Sequence, residues 1–318
     1  MAIPILAVIG PTAVGKTSLS LDFAKALNGE VISVDSRQVY RYMDVGTDKV
    51  DPATRRDILH HLIDVVDPDE TFSAADFAEQ ASDAVDRIRA RGRVPILVGG
   101  TPFYYRAMLD EVLTIDVPSD PEIRRELEAV GEEENGPAKL HSMLAEADPD
   151  SASRLHVNDT VRVIRAIEIF RLSGKPSSWW RDRPKKESSR FAPLYFGLTR
   201  PRDELHRTIA KRVKQQFHGG YPEEVRWLLD NGFSPELPSM KGFGYRELVL
   251  YHMGKMSLEE GIESDTVATR RFSKRQMTWF RKFSPAIWYD LSEKEYNKVL
   301  SSMIDKAVHH LRAGGVVL

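Results

Sequence analysis

IPILAVI at residues 3–9 runs directly into GPTAVGKT at residues 10–17. The first part is a short, continuous apolar run that stops at a glycine, the pattern of a strand buried on both faces of a parallel sheet. The second matches G-x-x-x-x-G-K-[ST]. Its glycines allow a tight loop whose backbone N–H groups converge on phosphate oxygens, and the helix that follows adds its dipole. Gly10, Thr12, Ala13, Val14, Gly15, Lys16 and Thr17 are therefore expected to hold a diphosphate or polyphosphate. Lys16 would reach the outer phosphates, and the Thr17 hydroxyl can hold Mg²⁺. Outward from this loop, SLSLDFAKAL (18–27) has helical apolar spacing and EVISVD (30–35) reads as a second buried strand. Residues 74–91 read as a helix ending at Gly92, and RVPILVGG (93–100) as a third buried strand. The alternation predicts an α/β fold with a doubly wound parallel sheet and right-handed crossovers.

After about residue 117 the texture changes. Segment 118–150 holds 10 acidic and 3 basic residues, a net of −7, with turn signals at Gly131, Asn135-Gly136-Pro137 and Asp148-Pro149. It reads as helices joined by loops. A stronger helix is predicted at about 159–173, capped by Asn158 or Asp159 and ended by Gly174 and Pro176. Residues 177–190 read as a polar linker, 192–199 as a strand that rejoins the sheet, and the rest mostly as helices. Segment 175–215 holds 12 basic and 4 acidic residues, net +8, so the near-neutral total of −2 hides a strong charge separation. The 318 residues suit about two domains. With 42% apolar and 29% charged residues, extended disorder is excluded. The absence of cysteine excludes disulfides, thiolate zinc sites and cysteine nucleophiles, and fits a cytoplasmic protein. No apolar run approaches the roughly 18 residues of a membrane span. The amino terminus reads as a strand and not as a signal peptide.

Asp35 ends the second strand, and active sites of open α/β sheets lie at such carboxyl ends. It suits a general base, a group near Mg²⁺ or a binder of a substrate hydroxyl, or else the cap of a turn. Ser36 and Gln38 stand beside it, and a Gln amide can bond the edge of an adenine. The third strand ends in Gly99-Gly100-Thr101, with no acidic residue of the kind an NTPase places there. Residues 267–283, VATRRFSKRQMTWFRKF, put Arg270, Arg271, Lys274, Arg275, Arg281 and Lys282 on one arc of a helix. Phe272, Trp279, Phe280 and Phe283 fall on another. The basic arc suits a polyanion, or else is a solvated face paired with acids elsewhere. Arg162 and Arg165, and the set Arg207, Lys211, Arg212 and Lys214, give two further basic clusters. The nine histidines lack metal-ligand spacing.

These blocks together, GPTAVGKT, ISVDSRQVYRYMDVGTDK, VGGTPFYYRAML, KGFGYREL and ATRRFSKRQMTWFR, resemble the tRNA dimethylallyltransferase (tRNA isopentenyltransferase) family, bacterial type, from about residue 4 to 290. The resemblance implies a P-loop NTPase-like core, 1–117 and 191–318, with a mostly helical insertion at 118–190 that contacts tRNA. It implies transfer of a dimethylallyl group from dimethylallyl diphosphate, with Mg²⁺, to the exocyclic amine of the adenine immediately 3′ of the anticodon, in tRNAs reading codons that begin with U. It implies that Asp35 is the general base and that Thr101 lies near the reacting adenine. Lys16 and Arg212 would hold the diphosphate. Contacts to the tRNA anticodon stem-loop would come from Ser36, Arg37, Gln38, Arg124, Arg162, Arg165, Lys241, Gly244, Tyr245, Arg246, Lys274, Arg275, Gln276, Trp279 and Arg281. A monomer is expected. The alternative enzyme reading is an ATP-binding P-loop small-molecule kinase. A nucleotide-dependent RNA-binding switch without chemistry is the alternative outside enzymes, and it would have no need of a base at Asp35.

Overall fold

Six strands form one parallel sheet: β1 (Ile3–Ile9), β2 (Gly29–Val34), β3 (His60–His61), β4 (Val94–Gly99), β5 (Phe191–Thr199) and β6 (Ala286–Asp290). Their order is β3-β2-β4-β1-β5-β6, and every neighbouring pair is parallel. This computed structural model describes residues 2–109, 117–182, 189–292 and 296–316.

The apolar run of β1 is explained by its two buried faces. Leu6 and Val8 point into one hydrophobic layer, and Ile5, Ala7 and Ile9 into the other. The helices that follow β1 to β4 are α1 (Lys16–Ala26), α2 (Pro52–Asp57), α3 (Ala74–Ala90) and α4 (Pro102–Leu109). A second group comprises α5 (Pro121–Glu132), α6 (Gly136–Ala147), α7 (Pro149–Arg154), α8 (Thr160–Ser173) and α9 (Ser177–Arg181). The last are α10 (Arg202–His218), α11 (Tyr221–Asp230), α12 (Tyr245–His252), α13 (Leu258–Phe280) and α14 (Tyr296–Ala313). Leu19 and Phe23 of α1, Val213 and Phe217 of α10 and Met303 of α14 fill one layer. Phe77 and Val85 of α3, Tyr105 of α4 and Phe280 of α13 fill the other. Reciprocal hydrogen bonds between Ser73 and Asp76 start α3, and the same arrangement of Ser257 and Glu260 starts α13.

β6 is a strand where helices were expected. Four of its five residues are only partly buried and Asp290 is exposed, so they carry little apolar signal, yet they pair with Tyr195–Thr199 on the sheet edge. The two-residue β3 is too short for any periodicity.

The chain divides into two compact units, Met1–Asp110 with Ser188–Leu318, and Glu111–Glu187, where an insertion at 118–190 was expected. The second unit has its own core of Leu127, Leu140, Leu144, Val163 and Ile167. Fully buried Glu168 accepts from Arg124 Nε at 3.0 Å and from Arg165 Nη1 at 2.5 Å. Burial acts to raise that carboxyl, but these two guanidiniums outweigh it and hold it below its ordinary value. α8 ends at Gly174 as expected, with φ 65°. Asp159 stands at its N-cap, but its carboxylate pairs with Arg162 and makes no side-chain cap. Residues 177–181, expected as linker, form the short α9, and residues 183–188 of that linker lie outside the described residues.

Candidate active site

The site gathers at the carboxyl ends of β1, β2, β4 and β5, where the strand order reverses about β1. Gly15 turns the loop after β1 into α1 at φ 107°, a backbone conformation that L side chains rarely adopt. The Lys16 ammonium folds back over the loop and donates to the Gly10 and Pro11 carbonyls at 3.0 and 2.9 Å. Burial pulls it down to about 8; Asp35 opposes that fall, Arg212 adds to it and Asp48 opposes it. From α10, Arg212 donates to Thr12 Oγ1 at 2.7 Å and to Asp48 Oδ2 at 3.0 Å. Its Nε is buried without a hydrogen-bond partner among the described residues. An orphaned buried donor beside a phosphate loop suits an anionic ligand.

A cleft of about 560 Å³ is lined by Thr12, Lys16, Thr17, Asp35, Asp48 and Arg212. A smaller pocket of about 70 Å³ shares Thr12, Asp35, Asp48 and Arg212 with it and adds Ser36, Thr101, Phe243 and Asp265. Asp35 Oδ1 accepts the Arg37 N–H at 2.9 Å and the Gln38 N–H at 3.4 Å, an Asx turn that fixes the carboxylate. Thr101 Oγ1 accepts the Ser36 N–H at 3.1 Å, which ties the ends of β2 and β4 together. Asp35, Ser36 and Thr101 are thus brought to one place, as expected. Among the described residues no cluster of three or more His, Asp or Glu side chains could hold a metal ion. A cation at Thr17 would have few protein ligands and would depend on phosphate oxygens, the mode that suits Mg²⁺.

Several expected tRNA contacts have other partners. The Gln38 amide accepts from Ser33 Oγ at 2.9 Å and donates to the Thr47 and Asp48 carbonyls at 3.2 and 3.3 Å, so its adenine-reading groups are already engaged. Arg37 donates to the Phe243 carbonyl at 3.1 Å and lies over the Phe243 and Tyr245 rings. Tyr245 is fully buried, with its hydroxyl on Glu224 at 2.7 Å. Gly244 is buried too, with its N–H on Glu247. Gln276 is buried and spans the phosphate loop and Gly100. Arg124 and Arg165 are tied to Glu168, and Arg165 also donates to the Val117 and Pro118 carbonyls. Arg162, Lys241, Arg246, Lys274, Arg275 and Arg281 are exposed, and Trp279 presents 44% of its surface.

Three supporting groups carry no signal in the sequence. Glu224 accepts from the N–H groups of Asp44, Val45 and Gly46 at 2.7, 2.6 and 3.1 Å and so shapes the loop that delivers Asp48. Arg200 donates to the Val14 carbonyl at 3.0 Å behind the phosphate loop. Asp265 lines the smaller pocket. Burial raises its carboxyl to about 6 against the opposing Arg37, and Glu247 adds to the rise.

Fold and site define a parallel α/β protein with a phosphate-loop motif beside a fixed carboxylate and no acidic residue closing β4. Residues 38–283 match the family model described as IPP transferase. The chain is 44% identical over 295 residues to a tRNA dimethylallyltransferase of Symbiobacterium thermophilum, covering 93% of this chain and 92% of that protein. It is 41% identical to that of Carboxydothermus hydrogenoformans, with 96% and 98% covered. The crystal structure of a tRNA isopentenylpyrophosphate transferase from Bacillus halodurans superposes with a TM-score of 0.72 at 38% identity, covering 98% of each chain. A eukaryotic dimethylallyltransferase captured acting on tRNA gives 0.82 at 27% identity, covering all of this chain and 81% of that one. The chain belongs to the IPP transferase family. It is a prenyltransferase, and the kinase alternative does not stand.

Proposed function

We propose that this enzyme moves the dimethylallyl group from dimethylallyl diphosphate to the exocyclic amine of the adenine immediately 3′ of the anticodon, in tRNAs that read codons beginning with U. The observation that carries this reading is that two cavities share Asp35 and Arg212: a phosphate loop with Lys16 lines one, the Ser36–Thr101 pair the other. The diphosphate is the leaving group, so a phosphate loop serves with no phosphoryl transfer. The adenine nitrogen attacks the first carbon of the dimethylallyl group as its bond to oxygen breaks, and the electron pair leaves with the diphosphate. Backbone N–H groups of the loop, Lys16 and the unsatisfied Nε of Arg212 stabilise the charge that develops there. The Thr17 hydroxyl would help to hold Mg²⁺, which would supply further charge neutralisation at the diphosphate. The adenine amine is a poor nucleophile and loses a proton as it attacks; Asp35 takes it. The base must leave its stack, which costs a few kcal/mol and least in a loop.

Exposed Arg162, Lys241, Arg246, Lys274, Arg275 and Arg281 supply phosphate contacts to the anticodon stem-loop. The enzyme works as a monomer in the cytoplasm. The lack of cysteine supports that compartment, and no described helix is long and apolar enough to cross a membrane. The test is label transfer from dimethylallyl diphosphate to an unmodified anticodon stem-loop. Label should enter RNA with adenine at that position and vanish when guanine replaces it. Equal labelling of both RNAs would contradict the assignment.

A further inference from the structure

We infer that Gln276 is a positioning residue for the diphosphate: its side chain sets the shape of the phosphate loop and does not contact tRNA. Gln276 lies on α13, which is far from the loop in sequence. Only 3% of the residue is exposed. Its Oε1 accepts the Thr12 N–H at 2.8 Å, and its Nε2 donates to the Gly100 carbonyl at 2.6 Å. Both ends of the amide are thus used, and reversing it would set donor against donor and acceptor against acceptor. Gly100 is shaped to this contact, because a Cβ there would lie 2.5 Å from Gln276 Nε2.

Thr12 is therefore held twice, by Gln276 at its backbone N–H and by Arg212 at its hydroxyl. A loop whose N–H groups must converge on phosphate oxygens depends on such fixing, since a small displacement of a donor costs much of its contribution. The outer side of the same helix carries exposed Lys274 and Arg275. α13 then has two roles in adjacent residues, a polyanion-facing side and a brace under the diphosphate.

The kinetic part of this inference rests on the proposed reaction; the binding part does not. The full-length protein, Q276M and Q276E are titrated with magnesium pyrophosphate by calorimetry, and tRNA affinity is measured by filter binding. Methionine fills the volume but leaves the Thr12 N–H and the Gly100 carbonyl unpaired. Q276M should lose about tenfold in pyrophosphate affinity. Its KM for dimethylallyl diphosphate should rise in step, with tRNA affinity within about twofold of wild type. Glutamate accepts from Thr12 but faces the Gly100 carbonyl with a second oxygen until it is protonated. Relative to wild type, Q276E should bind pyrophosphate weakly at pH 8 and recover as pH falls towards 6, a signature that a merely space-filling role would not show. Unchanged pyrophosphate binding in Q276M with weakened tRNA binding overturns the inference. So does a Q276E ratio that is flat with pH. A wild-type protein that binds pyrophosphate but transfers nothing to RNA would sink the proposed reaction and leave the role of Gln276 to the same titration.

Discussion

Lys16 is buried and held near 8 before any anion arrives, and this sets the pH behaviour of the site. A diphosphate restores its charge, so above pH 8 the free enzyme must take up a proton to bind. Affinity for diphosphate should fall as pH rises through about 8, and calorimetry at pH 8.5 in buffers of different ionisation heat should show uptake of about one proton. Lys16→Ala should abolish that uptake and weaken binding. The sign for folding is the opposite. A cation depressed in the folded state favours unfolding while charged, so the ligand-free protein gains stability as pH rises from about 8 towards 10.5. Asp35→Asn keeps the oxygen that accepts the Arg37 N–H and so keeps the turn. It cannot take a proton, and single-turnover transfer should drop by about 10²–10⁴-fold with tRNA affinity unchanged. Asp35 was legible in the sequence because a strand end places it whatever else the chain does. The true partners of Arg37 and Gln276 were not, because they depend on contacts with distant segments; Arg37 and Phe243 lie 206 residues apart, and Gln276 and Thr12 264.

At the scale of elements, α13 shows what periodicity reads and what it misses. The basic arc faces outward at Arg271, Lys274 and Arg275, but Arg270 is half-buried against the His206 carbonyl and Arg281 and Lys282 lie past the end of the helix. The aromatic arc is only half core: Phe280 is buried, Phe272 partly so, and Trp279 is exposed with Arg106 over its ring. The buried face is instead largely polar, with Asp265, Thr269, Ser273 and Gln276, and Asp265 and Thr269 line the smaller pocket of the candidate site. Neutralising Lys274 and Arg275 together should weaken every substrate tRNA alike and reduce the salt slope of binding by about 1.5–2. Transfer at saturating tRNA should keep its rate; an unaltered slope would leave α13 a solvated face. In the second unit, Glu168→Ala strands two guanidiniums. Both remain partly exposed and rehydrate, so the loss should be about 2–3 kcal/mol by denaturant unfolding, below that of a fully buried pair. The same carboxylate, depressed in the fold, gives its stability above its ordinary value of 4.5 and loses it as pH falls below.

Across the whole molecule, a net charge of −2 conceals segments of −7 and +8. Composition alone argues against a global nucleic-acid binder, so in the proposed reaction that role falls to local clusters. The parallel sheet and the return strand at 192–199 were legible from short apolar runs, since strands buried on both faces are largely apolar, and the phosphate loop from its glycine and lysine spacing. β6 was not, because an edge strand with half-buried residues lacks that signature. The chemistry divides along the same line: the loop motif announces a phosphorylated ligand, while the fate of the phosphates depends on what closes β4 and what faces Asp35. The most direct measurement is therefore the product balance of one reaction containing enzyme, Mg²⁺, dimethylallyl diphosphate, ATP and unmodified tRNA. One diphosphate released for each dimethylallyl group found on adenine, with ATP left intact, is the result predicted. Consumption of ATP with no prenylated adenine would contradict it.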